Sequence, residues 1–64
     1  MKRYKGQNVK IIIKVQNNNL NYTAKVLDVS ETHITFYDKF GKVYSYLISD
    51  IVEIQTIERF ESVK

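Results

Sequence analysis

Apolar residues at every second position most constrain the fold of this chain, because that spacing is the period of a half-buried β-strand. In "NVKIIIKVQ", residues 8–16, valine and isoleucine share one face and lysine the other, and only Ile12 points to the polar side. Further strands rich in β-branched and aromatic residues are predicted at 21–31, 33–38, 42–48 and 50–57. Turns are predicted at Asn17–Asn19, because asparagine tolerates a left-handed backbone, and at 39–42, where Gly41 supplies a positive φ.

The segment "VYSYLISDIVEI", residues 43–54, contains two apolar runs that are separated only by Ser49-Asp50. Five short strands without a proline predict an all-β fold, a small five-stranded antiparallel barrel. Ser49-Asp50 is then a sharp corner between the fourth and fifth strands. Both side chains are expected to bond N–H groups of that turn, and Asp50→Ala is expected to cost about 1 kcal/mol of stability.

The length of 64 residues predicts one domain over 1–64, with a core over about 6–57, a short basic N-terminus and a C-terminal tail at 58–64 that is frayed or forms one helical turn. A core this small is marginal, and the absence of cysteine removes disulfides and thiolate zinc sites. One histidine is too few for a histidine-rich metal site, and no cofactor is predicted. Oligomerisation is the source of extra stability that remains.

The longest apolar run is Ile11–Ile13, far shorter than the roughly 20 residues of a membrane helix. Lys14 interrupts the apolar stretch that follows the basic start, so no signal peptide and no membrane span are predicted. The expected location is the cytoplasm.

Charge is distributed unevenly along the chain. Residues 1–25 contain six basic and no acidic side chains, whereas residues 26–64 contain four basic and seven acidic ones. This asymmetry indicates a polyanionic partner or an electrostatic match between subunits. A lysine-rich surface that is only solvated remains an equal alternative.

Catalysis is not expected. His33 is the only imidazole, and nothing in the sequence aligns it with the nearby Ser30 and an orienting acid. His33 is expected to begin a strand on the solvent side. Asp28, Asp38 and Asp50 fall at predicted strand ends, where turn residues belong. Two isolated glycines cannot build a phosphate-binding loop.

Binding of single-stranded nucleic acid has better support, because small barrels stack bases on aromatic rings and place lysines near phosphates. Tyr44 and Tyr46 share one face of the fourth strand and either form such a platform or, as is favoured, fill the barrel or a subunit interface. Tyr4 and Phe40 lie in a predicted terminus and loop, where an aromatic ring has less reason to pack. The candidate nucleic-acid-binding residues are Lys2, Arg3, Tyr4, Lys5, Lys10, Lys39, Phe40 and Lys42.

The order of strands and the polar corner resemble the Sm-like family, and within it the bacterial Hfq-like branch. Residues 24–38, "AKVLDVSETHITFYD", are similar to the first motif of the family, with Ala24 in place of its usual glycine. Val26, Ile34 and Phe36 take its apolar positions. "YLISDIVEI", residues 46–54, looks like the second motif, and the resemblance covers residues 6–57.

The resemblance implies an Sm-like RNA-binding barrel that forms a ring of about five to seven subunits, in which strand four pairs with strand five of the next copy. The motif residues that hold uridine in the family differ here. Ser49-Asp50 replaces Arg-Gly or Lys-His, and residues 30–32, "SET", replace Asp and Asn or Gln and an aromatic.

Residues 6–14, "GQNVKIIIK", and 24–34, "AKVLDVSETHI", are also similar to other SH3-like barrels, such as the N-terminal module that accompanies PilZ domains. The second hypothesis is therefore a structural or protein–protein interaction module without nucleic-acid binding, and a small enzyme-associated subunit is a third.

Overall fold

The structure is a computed structural model that describes residues 2–58 of the chain. Its strands are β1 (Asn8–Val15), β2 (Asn18–Val29), β3 (His33–Asp38), β4 (Val43–Leu47) and β5 (Ile51–Ile57). They form one antiparallel sheet in the order β4-β3-β2-β1-β5, which confirms the predicted five-stranded all-β fold. The predicted tail lies, except for its first residue, outside the described residues. No helix within residues 2–58 is long and apolar enough to cross a membrane.

The β1–β2 hairpin turns one residue earlier than predicted. The tight turn consists of Gln16 and Asn17, while Asn18 and Asn19 already pair with β1, so the prediction of a turn at Asn17–Asn19 is wrong. The left-handed residue is Gln16, with φ of 56°. Asparagine tolerates that conformation better than glutamine does, so the turn position is fixed by the pairing of the strands and not by local preference.

Two bulges adjust which side chains face the core. In β2, Leu27 has no partner between the paired residues Val26 and Asp28. This extra residue reverses the alternation, so that Asp28 is exposed and Val29 is buried.

In β5, Val52 is the extra residue, between Ile51, which pairs with Ile13, and Glu53, which pairs with Ile12. The larger Ile51 packs against the core as a result, and Val52 stays 54% exposed.

The fully buried core belongs to the three central strands. Its residues are Val9, Ile11, Ile13, Ala24, Val26, Val29, Ile34 and Phe36. The inward side chains of the end strands, Tyr44 and Tyr46 on β4 and Ile51 and Ile54 on β5, remain only half-buried. Because β4 and β5 are not paired with each other, the interior of the barrel is open between them.

The corner between β4 and β5 is a 3₁₀ turn, Ile48–Asp50, at the predicted place. Backbone groups hold it, because Ile51 N–H donates to Ile48 O and Ile48 N–H donates to Thr32 O at 2.8 Å. Neither Ser49 nor Asp50 makes a side-chain hydrogen bond within the described chain. The expectation that these side chains bond the turn is therefore wrong.

Candidate nucleic-acid interface

The hairpin tip, Lys39–Lys42, presents an aromatic ring beside two lysines. Phe40 is 76% exposed, the largest exposure among the large apolar residues of the described chain. Lys39 Nζ lies 5.5 Å from the centre of its ring, and Lys42 Nζ lies 5.6 Å from the Tyr44 ring, both within cation–π range. An exposed ring flanked by cations can stack a base and meet phosphates.

Asp38 fixes the conformation of the hairpin tip. Its carboxylate oxygen Oδ1 accepts hydrogen bonds from the N–H of Phe40 at 2.9 Å and the N–H of Lys42 at 3.0 Å. Gly41 N–H donates to Asp38 O, and Gly41 takes the left-handed φ of 85° that such a turn requires. Phe40 is thus carried by a turn that is already ordered before any ligand binds.

The N-terminal candidates lie on a 3₁₀ turn, Lys2–Tyr4, that is attached to β2. The Arg3 guanidinium lies 5.2 Å from the centre of the Tyr4 ring. Tyr4 is half-buried and packs against the core, so the expectation that it has little packing role is wrong. Lys5 forms an exposed ion pair with Asp28 at 3.7 Å, which offsets part of the basic charge here.

Lys10 lies on the outer face of the sheet, the face directed away from the core. Cross-strand pairing puts Lys10 opposite Thr23, and Lys25 opposite Asn8, on that face. Lys14 lies two residues beyond Ile12 and shares the face as well. Sequence reasoning named only Lys10 as a site residue, although strand alternation assigns Lys14 and Lys25 to the same side.

The pairing register brings some of these residues together and separates others. Asp38 pairs with Ala24, so the hairpin tip continues past it to the level of Thr23, the partner of Lys10. β1 and β3 are two strand spacings apart, about 10 Å. The N-terminal turn leaves β1 in the opposite direction, toward Val26 and Asp28. The hairpin tip and Lys10 thus lie at the same level, near the middle of β2, and the N-terminal turn lies three to five residues farther along that strand.

The aromatic cluster of Tyr22, Phe36, Tyr44 and Tyr46 occupies the inner face beside β4, so these tyrosines fill the barrel in part. Ring centres are 4.8–6.0 Å apart, and the hydroxyls of Tyr22 and Tyr46 are 2.7 Å apart. Burial raises the pKa of Tyr22 above its ordinary 10.0, and the hydrogen bond with Tyr46 and nearby acidic groups raise it further. Folding therefore favours the protonated form of Tyr22, whose hydroxyl shares the hydrogen bond with Tyr46.

In the turn between β2 and β3, the Ser30 side chain bonds the backbone. Ser30 Oγ accepts hydrogen bonds from the N–H groups of Thr32 and His33 and bonds His33 O, so it serves the turn. His33 begins β3 on the exposed side, as predicted, and its Nδ1 lies 2.8 Å from Thr32 Oγ1. Within residues 2–58, no three acidic or imidazole side chains lie close enough together to hold a metal ion.

The three acids lie at or beside strand ends, as expected. Asp38 ends β3, Asp50 ends the corner just before β5, and Asp28 is the next-to-last residue of β2, beside its bulge.

Comparison with known proteins adds no relative to this geometry. No protein-family model, no curated protein and no solved structure matches the chain. Any assignment of function therefore rests on the residues themselves, their exposure, their charge and the way the strands place them.

Proposed function

We propose that this chain is a non-enzymatic Sm-like protein of the cytoplasm that binds single-stranded RNA as a closed ring of about five to seven copies, joined through β4 and β5. The observation that carries the proposal is that the barrel is not closed between β4 and β5. The inward residues of both end strands are half-buried, and neither end strand has a second neighbour among the described residues. Pairing with the next copy supplies the missing cover.

The backbone of β4 has unpaired groups at regular spacing. Asp38 N–H donates to Lys42 O, and Ile48 N–H donates to Thr32 O, so the even-numbered residues between them face β3. Bonded pairs alternate in an antiparallel ladder. Val43, Ser45 and Leu47 therefore direct their N–H and C=O groups to the open edge.

β5 has a matching edge. Val26 N–H donates to Gln7 O, which fixes the alternation along β1 and directs the even-numbered residues of that strand to β5. The backbone groups of the paired β5 residues are therefore bonded to β1. Ile54 and Thr56, which lie between those pairs, direct their backbone groups outward.

Apolar side chains line both edges as well. Val43 is 59%, Leu47 44% and Val52 54% exposed. An exposed apolar edge strand invites pairing, and soluble proteins usually protect such an edge. A ring covers these side chains and adds apolar burial that a chain of 64 residues lacks.

RNA is the partner that the charges favour. Lys10, Lys14 and Lys25 share the outer face, and the hairpin tip adds two more lysines and the exposed Phe40 ring. Repetition of these groups around a ring gives a polyanion several simultaneous contacts. Glu31 and Asp50, at the turns that hold uridine in Sm-like proteins, repel phosphate, so no preference for uridine tracts is expected.

Native mass spectrometry with and without RNA tests ring and ligand together. The ring is tested by Leu47→Lys, which puts a charge on the edge of β4, against the matched control Leu27→Lys. Leu27 is the same residue type with the same exposure, 43% against 44%, but it lies on the β2 bulge away from both edges. We expect Leu47→Lys to break the ring into smaller species and Leu27→Lys to leave it intact.

Other outcomes assign the protein differently. A wild-type monomer at tens of micromolar contradicts the ring. A discrete dimer without bound RNA supports the second candidate, a protein–protein interaction module, which the exposed apolar edges also fit. A ring that does not bind RNA refutes only the nucleic-acid part of the proposal.

A further inference from the structure

The first part of β2 has a free edge, residues 18–22, that only one strand covers. β2 spans Asn18–Val29, and β1 pairs with it from its first residue onward. β3 pairs with it only from Ala24 onward, because β3 ends at Asp38 and the chain then turns into the hairpin tip. Residues 18–22 therefore have β1 as their one strand neighbour within the described part of the chain.

The backbone groups along this free edge alternate in direction. Val26 N–H donates to Gln7 O, and the register between β1 and β2 has no shift, so the even-numbered residues of this part of β2 bond to β1. Asn19 and Asn21 therefore direct their N–H and C=O groups to the opposite side, the side from which β3 has turned away. Such a regular row of donors and acceptors is a template for pairing with another extended chain.

The sequence of the free edge, "NNLNY", lacks the features that usually protect an edge strand. It has no charge and no proline, and its pairing with β1 has no bulge. The side-chain amides of Asn19 and Asn21 form no hydrogen bond with a described residue. Closure of a ring through β4 and β5 does not use this edge, because β2 is the central strand of the sheet.

The two faces beside the free edge determine which side chains an added strand needs. Leu20, which is 37% exposed, and the half-buried Tyr22 are directed to the inner face. Residues opposite these two side chains must therefore be apolar. Asn19 and Asn21 lie on the outer face, where Lys14 is the direct cross-strand partner of Asn19. Residues opposite the asparagines must therefore be polar.

The charges around the free edge favour an acidic partner. Lys14 lies one strand away on β1, and Lys39 and Lys42 lie on the hairpin tip, where β3 turns away. Asp38 is only 8% exposed and accepts two backbone hydrogen bonds, and Glu53 lies two strands away on β5. Carboxylates on the outer face of an added strand would therefore meet mainly lysines.

The same observations exclude two other occupants on physical grounds. A second copy that pairs β2 with β2 would bring the lysines beside the two edges together, and like charges across strands are unfavourable. RNA has no N–H groups along its backbone, so it cannot form a ladder with alternating donors and acceptors. An extended peptide forms that ladder with its own backbone.

We propose that the free edge of β2 binds an extended acidic segment of a partner protein as an added strand, antiparallel to β2 and in line with β3. Acidic residues at every second position stand opposite Asn19 and Asn21 and bond them through their backbone. The apolar residues between them cover Leu20 and Tyr22. This inference goes beyond the proposed RNA binding and does not depend on it.

Fluorescence anisotropy with a labelled peptide of roughly nine residues, in which glutamate and valine alternate, tests the added strand. Two analogues of this peptide carry methyl groups on backbone nitrogens, one at every glutamate and the other at every valine. Only the glutamate nitrogens face β2 in the proposed pairing. We therefore expect methylation at glutamate to weaken binding by roughly tenfold or more, and methylation at valine to change it by less than about threefold. A peptide with lysine in place of glutamate should bind at least about tenfold more weakly than the parent peptide.

Amide hydrogen exchange, followed by NMR on ¹⁵N-labelled protein, locates the contact. The N–H groups of Asn19 and Asn21 should exchange quickly in the free protein and about tenfold or more slowly with saturating peptide, because they then donate to it. The N–H groups of Leu20 and Tyr22 already bond to β1 and serve as the internal control, so their exchange should change little.

Asn21→Pro removes the outward N–H of the free edge and no hydrogen bond to β1. Asn21→Val is the matched control, since it removes the same side-chain amide but keeps the N–H. We expect the proline variant to bind the peptide at least about tenfold more weakly than the valine variant does. If circular dichroism shows that the proline variant does not fold, the two methylated peptides decide the question with the wild-type protein.

Several outcomes would overturn this inference. The parent peptide may fail to bind, or the two methylated peptides bind equally well, which shows that no backbone ladder forms. Protection of Asn19 and Asn21 that rises with protein concentration in the absence of peptide assigns the edge to a second copy. Equal protection of these amides by single-stranded RNA assigns it to RNA. The ring and its RNA binding are tested separately by native mass spectrometry, so failure of the added strand leaves the proposed function standing.

Discussion

One buried carboxylate, that of Asp38, orders the backbone of the hairpin tip, so replacement of Asp38 by alanine should lower the stability of the fold. Asp38 is only 8% exposed, and its Oδ1 bonds two backbone N–H groups at 2.9 and 3.0 Å. Loss of a capping side chain costs about 0.5–2 kcal/mol, and a hydrogen bond to a charged group contributes about 1.5–3 kcal/mol. Water can replace part of both bonds in this exposed turn, so we expect Asp38→Ala to lower the free energy of unfolding by about 2 kcal/mol.

Urea denaturation followed by circular dichroism measures this change. A domain of this size has an m-value near 1 kcal/mol/M, so the midpoint should fall by about 2 M. Asp38→Asn keeps an oxygen acceptor but loses the charge, and should cost about half as much. All variants must be compared at one protomer concentration, since assembly adds to apparent stability.

Asp28→Ala is the control, because Asp28 is an exposed aspartate whose only ion pair within residues 2–58, with Lys5, spans 3.7 Å at the surface. Its loss should change stability by no more than about 0.5 kcal/mol. Equal effects of Asp28→Ala and Asp38→Ala, or an effect of Asp38→Ala below about 0.5 kcal/mol, would refute the claim that the carboxylate orders the tip.

Three further changes test other parts of the structure. Gln16→Gly should raise the free energy of unfolding by about 0.5–1 kcal/mol, because it relieves the left-handed φ of 56°, whereas Asn17→Gly should give no gain in the same urea titrations. The raised pKa of Tyr22 means that the folded state holds this proton more tightly than the unfolded state does. The stability that this difference contributes is fully present below about pH 10 and is lost as the pH rises further. Tyr22→Phe should reduce this alkaline loss of stability in denaturation curves. Asp50→Ala should lower the free energy of unfolding, measured by thermal denaturation, by less than about 0.5 kcal/mol, since its side chain makes no hydrogen bond with a described residue; a loss near 1 kcal/mol would restore the capping role that the sequence suggested.

The strands could be predicted from the sequence because alternation is local. The β3 boundaries, His33–Asp38, and the position of the corner agree with the pattern of the residues. The two bulges could not be predicted, since Leu27 and Val52 are ordinary strand residues. Only the partner strand decides that they are left unpaired. The turn at Gln16 has the same explanation, because the Val15–Asn18 pair fixes the register and imposes the φ.

The candidate interface could be predicted in outline. Composition located the basic charge, and alternation was enough to assign Lys14 and Lys25 to the face of Lys10. The packing of Tyr4 against the core and the role of Asp38 in the hairpin tip depend on contacts between segments, which no local pattern contains. The groove across the outer faces of β5, β1 and β2 needs three strands in register, so it could not be found before the pairing was known.

The edges themselves favour a ring over a two-fold dimer. β4, "VYSYL", has no charge, no proline and no bulge, so it lacks the devices that normally protect an edge strand. Two copies that pair β4 with β4 cover this edge but leave β5 open, with Ile51 and Ile54 half-buried. Pairing of β4 with β5 covers both edges of every copy and places Val43 and Leu47 against a second apolar strand. Since that arrangement is head-to-tail, it must close on itself or grow without limit. The bulge at Val52 shortens the regular stretch of β5 that can pair, and strong twist at a bulge favours curvature and hence closure.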